Sequence, residues 1–316
     1  MPDNDQPTPQ AAPLHQRGVT AVYRTRTLIY LTSAAAVLTL LFFYIRQSSP
    51  PARGATKTES KTNLVYIWIP EGGYEQGCSK FDTVCEADEK PAHEVTISKG
   101  FWMGQTEVTV GAYSKFASST NRRLPPEATF GSRNLNPGWA NKQAPIVNVC
   151  WNDAHEFCEW SGGSLPTESQ WEYAARGDGS APGQTTLSAI AWYANNSGAA
   201  ALADATALFK EDGPRFLGRL AQNQSTFHSA GKLAPNSFML YDMLGNVWEW
   251  TADWYGEGYY RANERFDPKG PADGQAKVLR GGAWVNVAGA VRASVRGRRP
   301  TDSRSIDTGF RCTLPQ

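Results

Sequence analysis

At 316 residues, 41% hydrophobic and 19% charged, the chain is long enough for one large domain or two small ones with a sizeable core. A net charge of +1 sets up no strong field toward nucleic acid, so that class of function is excluded first. The 11 tryptophans, 29 glycines and 20 prolines speak against a helical bundle and for a loop-rich fold pinned by aromatic packing.

Residues 1–26 form an N-terminal tail, rich over 1–16 in Pro, Gln, Asn and Asp, a composition of disorder. From Thr27 to Ile45 no charged residue occurs. Nineteen residues at about 1.5 Å each reach roughly 28 Å, the thickness of a bilayer's hydrocarbon core. Arg24 and Arg26 flank one end and Arg46 the other. A cleaved signal peptide is the rival, but its apolar region would be shorter and followed by a small-residue cleavage site. The only A-x-A here, Ala34 to Ala36, lies inside the apolar run, so the segment predicts a single transmembrane anchor over 27–45. Arg17, Arg24 and Arg26 before it nearly balance Arg46, Arg53, Lys57 and Lys61 after it, and charge alone leaves the orientation open.

Residues 46–62 read as a polar linker and 63–316 as the folded domain. Leu64–Pro70 and His93–Ile97 have strand composition. Between them, Cys78 and Cys85 stand in a polar loop, GCSKFDTVCEADEKP. A short disulfide is the simplest assignment, and a zinc site completed by two distant ligands is the alternative. A disulfide requires an oxidising compartment, which favours an inner-membrane, single-pass protein with its C-terminal domain in the periplasm. Helices are predicted over Thr109–Ser118, over Trp151–Trp160 with Asn152 or Asp153 as N-cap, and after Thr167, whose pairing with Gln170 makes a capping box. About 178–226 the chain turns Ala- and Gly-rich and reads as a surface insertion with a short helix near Ala201–Phe209. Short strands such as Lys277–Arg280 follow.

Five segments, in order, are then similar to the formylglycine-generating enzyme, or sulfatase-modifying factor, family: Gly100–Phe116, Val147–Gly177, Leu240–Tyr255, Val278–Trp284 and Asp307–Cys312. The resemblance implies an α+β, C-type-lectin-like domain with little regular secondary structure, here preceded by the transmembrane helix. It implies calcium held by the side chains of Asp242 and Glu249 and the carbonyls of Gly245 and Val247, a donor set suited to a hard cation. The alternative is that Asp242 and Glu249 pair with arginines. It also implies a disulfide between Cys158 and Cys312, which leaves Cys150 as a buried free thiol. In the stretch GNVWEWTADWY, Trp248, Trp250 and Trp254 are expected to be core before ligand platform.

The chain departs from the family where the chemistry lies. Copper-dependent members use two cysteines in the loop after the G-G-[SA]-[WY] motif, soft ligands for copper(I). Here Gly281–Arg292 contains no cysteine, Asn286 stands at the first position, and the loop is about three residues shorter. An amide cannot act as that ligand or as a thiol nucleophile, which speaks against copper. The four histidines, His15, His93, His155 and His228, have no paired spacing for an iron centre. Seven arginines between 280 and 311 remain. Arg280, Arg296 and Arg311 are expected to be struts to Asp242, Glu249, Asp253 or Asp307. Trp284, Asn286, Arg292 and Arg298 are the pocket candidates. Glu249 or Asp253 is a general base only where calcium is absent. The expectation is a membrane-anchored, extracytoplasmic protein that binds, and on one reading oxidatively matures, a peptide or protein partner. The alternative is a non-catalytic recognition module, such as a periplasmic immunity or accessory protein of a secretion system.

Overall fold

A computed structural model describes residues 50–78, 82, 84–177 and 186–316. The chain divides into two units, Met1–Pro50 and Pro51–Gln316, and the described residues, Pro50 aside, belong to the second. No helix among them is long and apolar enough to cross a membrane. The span expected over 27–45 lies outside the described residues.

The strands, in chain order, are β1 (Thr56–Thr58), β2 (Val65–Ile69), β3 (Gly72–Gln76), β4 (His93–Ile97), β5 (Phe101–Gly104), β6 (Thr129–Phe130), β7 (Arg133–Asn134), β8 (Ala191–Trp192), β9 (Leu244–Gly245), β10 (Trp248–Trp254), β11 (Lys277–Arg280), β12 (Arg296–Arg299), β13 (Thr308–Gly309) and β14 (Thr313–Leu314). The helices are α1 (Val110–Ser119), α2 (Trp151–Trp160), α3 (Glu168–Arg176), α4 (Leu187–Ile190), α5 (Ala205–Glu211) and α6 (Gly213–Gln222). Two four-stranded sheets organise the domain, one in the order β1-β2-β5-β14 and the other β12-β11-β10-β13. The first is antiparallel throughout, while in the second β13 runs parallel to β10. The first and last strands thus form the two edges of one sheet.

Local signals explain the helix starts. Thr167 caps α3 reciprocally with Gln170, the Gln170 amide meeting Thr167 Oγ1 at 3.1 Å. At α2 the cap is Cys150 and not Asn152 or Asp153. Asp153 instead occupies the third helical position and accepts the Cys150 amide at 3.1 Å, the returning half of a capping box.

Aromatic packing holds the centre, as the composition predicts. Trp68, Trp250, Trp284, Phe116, Phe157 and Phe310 belong to one buried cluster. Trp250 is wholly buried and Trp248 nearly so, whereas Trp254 lies at the edge. There the Lys277 ammonium sits 3.9 Å from the Trp254 ring centroid and 4.3 Å from that of Trp151. Both disulfides form. Cys158–Cys312 ties α2 to the approach of β14 across 154 residues and is buried. Cys78 and Cys85, both half-buried, are bonded to each other, which leaves neither thiol for the zinc alternative. Cys150 is free and buried.

The described part of the insertion, residues 186–226, carries α4, β8 and the hairpin α5–α6, whose first helix overlaps the one expected near Ala201–Phe209. Leu208, Phe216 and Leu220 of the hairpin pack against Ala194, Leu202 and, from a distant loop, Val287.

Candidate functional site

Beneath the second sheet lies a lattice of buried charge. Glu168 and Glu172, one turn apart on α3, face Arg280 of β11 and Arg296 of β12. Arg296 grips Glu168 with Nε at 2.7 Å and Nη2 at 2.9 Å. Arg280 reaches Glu168 at 3.2 Å and also pairs with Glu172. Burial raises Glu168, but Arg296 and Arg280 outweigh it and hold the carboxyl below its ordinary range. Asp253, on β10, fares differently. Burial and the neighbouring charge of Glu168 push it up to about 8, although its carboxylate accepts the Glu168 amide at 2.7 Å.

The strut assignment of the arginines therefore holds, with partial exchange of partners. Arg311 pairs with Glu249 and Arg299 with Asp307, while Arg280 and Arg296 take the two glutamates of α3. In the ladder Glu249 stands opposite Arg280, yet its carboxylate belongs to Arg311 and to Trp171 Nε1, each at 2.7 Å. A base so engaged is not free to take a proton from a substrate, which argues against that role for Glu249.

The loop after β11 begins with Gly281 and Gly282, both left-handed at φ +97° and +78°. A Cβ at Gly282 would lie 2.6 Å from the Ala290 carbonyl, so the turn admits little else. The four pocket candidates follow and do not face one cavity. Trp284 is wholly buried with its ring edge-on to Phe130 at 5.1 Å, and so is core and not lining. Asn286 turns its side-chain oxygen back on the Ala283 amide at 2.9 Å, and its own carbonyl accepts from Ala194 at 2.8 Å. Val287, next in sequence, is buried under α5–α6. Arg292 forks onto Glu89, four residues past Cys85, at 2.9 and 2.7 Å and also reaches Asp82, between Cys78 and Cys85, at 3.5 Å. Only Arg298 is exposed; it donates to the Tyr255 hydroxyl at 2.8 Å and lies 4.6 Å from that ring's centroid.

The turn ahead of β10 is the expected calcium loop. Asp242, Gly245 and Asn246 are left-handed at φ +53°, +74° and +55°, which coils the backbone tightly about the turn. Asp242 Oδ2 accepts the Gly231 amide at 2.6 Å, while its Oδ1 is buried without a partner. Burial pushes Asp242 up to about 6 against the lowering by that amide and by Arg311. Beside it stands a residue the sequence did not single out. Glu107, fully buried, accepts from Asn246 Nδ2 at 2.8 Å through Oε1 and leaves Oε2 unpartnered. Burial, then the charge of Asp242, drives it well above the ordinary range. Unpartnered oxygens at Asp242 and Glu107 fit a hard cation, whereas Glu249 is already neutralised. An acidic residue between strand β5 and the cap of α1, in Gln105-Thr106-Glu107-Val108-Thr109, was the only signal available for Glu107.

Over residues 52–315, all but the N-terminal sixth of the chain, the sequence matches the model of the sulfatase-modifying factor enzyme 1-like domain. The chain belongs to the sulfatase-modifying factor family. It is 29% identical over 289 residues to a formylglycine-generating enzyme of Streptomyces coelicolor, covering 78% of this chain and 88% of that one. It is also 33% identical over 201 residues to the inactive C-alpha-formylglycine-generating enzyme 2 of Bos taurus, covering 60% of this chain and 57% of the relative. The fold of this sulfatase-modifying factor domain is shared with PvdO from Pseudomonas aeruginosa, at TM-score 0.65 and 22% identity over 84% of this chain and all of that one.

Proposed function

We propose that this family member is a recognition module that captures a peptide or protein segment without copper–dicysteine chemistry. In this reading residues 27–45 tether it to the inner membrane and the folded domain works in the periplasm. The observation that carries it is the state of the loop at 281–292. Where the resemblance calls for a thiolate, Asn286 caps its own turn, and Val287 is packed under the inserted hairpin. Cys312, the one cysteine beyond the loop, is bonded to Cys158. A relative named as inactive, at 33% identity, supports the same view. The half-exposed Cys78–Cys85 disulfide supports an oxidising compartment. Calcium is proposed as a structural ion at the Asp242 turn, where it would supply positive charge to buried carboxylates.

Arg298 over Tyr255 is the proposed recognition surface. Tyr255 holds the exposed Arg298 guanidinium 4.6 Å from its ring centroid, with Arg296 4.9 Å from the same centroid, and arginine and tyrosine are among the residue types enriched in binding hot spots. The test is capture of the partner from native membranes on the tethered full chain, followed by intact-mass analysis. A stoichiometric partner of unchanged mass, lost with Arg298→Ala, is expected. A partner whose mass changes by an oxidation only in the presence of this chain would sink the proposal.

A further inference from the structure

A recess of about 350 Å³ opens where three segments meet: residues 62–65 at the approach to β2, the β5–α1 connection with the first turns of α1, and residues 142–143. That volume suits a small molecule. The Gly111 amide donates to the Lys142 carbonyl at 2.9 Å and the Val110 amide to that of Ala144 at 2.8 Å, which lays residues 142–144 across the start of α1. A Cβ at Gly111 would lie 3.1 Å from the Lys142 carbonyl oxygen, so glycine keeps the two segments this close. Lys115 stands one turn on from Gly111, on the same face of α1. Its ammonium donates to the Thr62 carbonyl at 3.1 Å, which fixes it across the recess and leaves it two protons.

The lining has one sign of charge. Lys115 and Lys142 both contribute to it, and no aspartate or glutamate does. Glu59, in the turn that leads to the recess, is engaged by the Lys61 and Thr62 amides, each at 2.8 Å, and by the Thr62 hydroxyl at 2.6 Å. The remaining polar lining is neutral: the amides of Asn63, Gln105 and Gln143 and the hydroxyls of Thr106 and Thr109. Gln105 is fixed in place, its Nε2 donating to the Met239 carbonyl at 3.2 Å.

We infer that this recess binds a small anionic molecule that also carries hydroxyl groups, of the sugar-acid or sugar-phosphate kind. The two ammoniums take the charged head, as compact point charges that suit carboxylate and phosphate alike. The amides and hydroxyls around them exchange hydrogen bonds with the ligand's hydroxyls. The site shares no residue with the Arg298–Tyr255 surface and is independent of capture there.

The test uses the full chain in detergent, titrated with D-glucuronate, D-glucose 6-phosphate and D-glucose by calorimetry, with saturation-transfer NMR for weak binding. At least one of the two anions is expected to bind at a single site, roughly tenfold tighter than glucose, as a hydrogen bond to a charged group contributes. The better of the two assigns the ligand's head to carboxylate or to phosphate. Lys115→Met and Lys142→Met should each weaken that binding roughly tenfold. Both side chains are exposed, so thermal unfolding of the free variants should be little changed. Equal binding of glucose and the anions would show that charge is not read, and binding untouched in both lysine variants would place the anion elsewhere. Either result overturns the proposal, as does failure of both anions to bind.

Discussion

Arg311 holds Glu249 by both oxygens, Nε and Nη2 each at 2.7 Å, with neither side chain more than 1% exposed. Trp171 Nε1 completes the set at 2.7 Å. Such a pair contributes little against a well-packed apolar substitute, but removing one partner strands the other as an unpaired buried charge. Glu249→Ala is therefore expected to cost about 3–5 kcal/mol, and Arg311→Ala a similar amount. Urea unfolding of each variant measures it, and a loss below about 1 kcal/mol would show that the pair is solvated.

Asp253 carries a pH signature. Its folded value, about 8, lies above the ordinary 3.8, so the native state holds a proton that the unfolded chain has released. Stability from this group is fully present below pH 3.8 and is lost as pH rises toward 8, at a slope of up to about 1.4 kcal/mol per pH unit. Glu168, held low by Arg296 and Arg280, has the opposite sign and weakens the fold as pH falls below the ordinary carboxylate range. Asp253→Asn keeps an oxygen for the Glu168 amide and removes the titration. Its unfolding free energy should be flatter between pH 4 and 8 than that of the wild type; parallel profiles would place the titration elsewhere.

What could be seen in the sequence follows from how local its cause is. The cap of α3 was visible because Thr167 and Gln170 satisfy each other within one turn. Of the hairpin α5–α6 the first helix was read near Ala201–Phe209 and the second was not, because Gly213 and Gly218 lower the helical propensity of α6 and its apolar face has meaning only against partners such as Val287. Glu168 and Glu172 carry no local sign of their burial, because their partners Arg280 and Arg296 come from β11 and β12, more than 100 residues on. Glu107 was hidden for the same reason: its partner Asn246 is 139 residues away, and burial of a lone glutamate leaves no periodic trace. The pairing of Cys158 with Cys312 came from the family resemblance and not from spacing.

The two disulfides should differ in weight. Cys158–Cys312 closes a loop across 154 residues inside the core, and Cys78–Cys85 one across 7 near the surface. A longer closed loop removes more entropy from the unfolded chain. Cys158→Ser with Cys312→Ser is expected to lose about 2–5 kcal/mol, and the Cys78→Ser, Cys85→Ser pair clearly less. Thermal unfolding of both double variants decides it; equal losses would mean that the short loop's clamp on Arg292 contributes as much as the long bridge.

Restoring one cysteine to the loop should not restore the family's chemistry. Asn286 accepts the Ala283 amide at 2.9 Å, a bond a thiol makes poorly, and its neighbour Val287 is fixed under α5–α6. A lone thiol at 286 would also lack its companion, since Cys312 is already bonded to Cys158. Asn286→Cys is expected to cost about 1 kcal/mol of stability for the lost cap and to bind copper(I) no better than the parent chain. Competition for copper(I) against a chromophoric chelator, with oxidation of a cysteine-containing peptide under dioxygen as second readout, tests this. A variant that both bound copper(I) and oxidised the peptide would show the loop still to be a working site, and the packing of Val287 beneath the hairpin would then be no barrier to substrate.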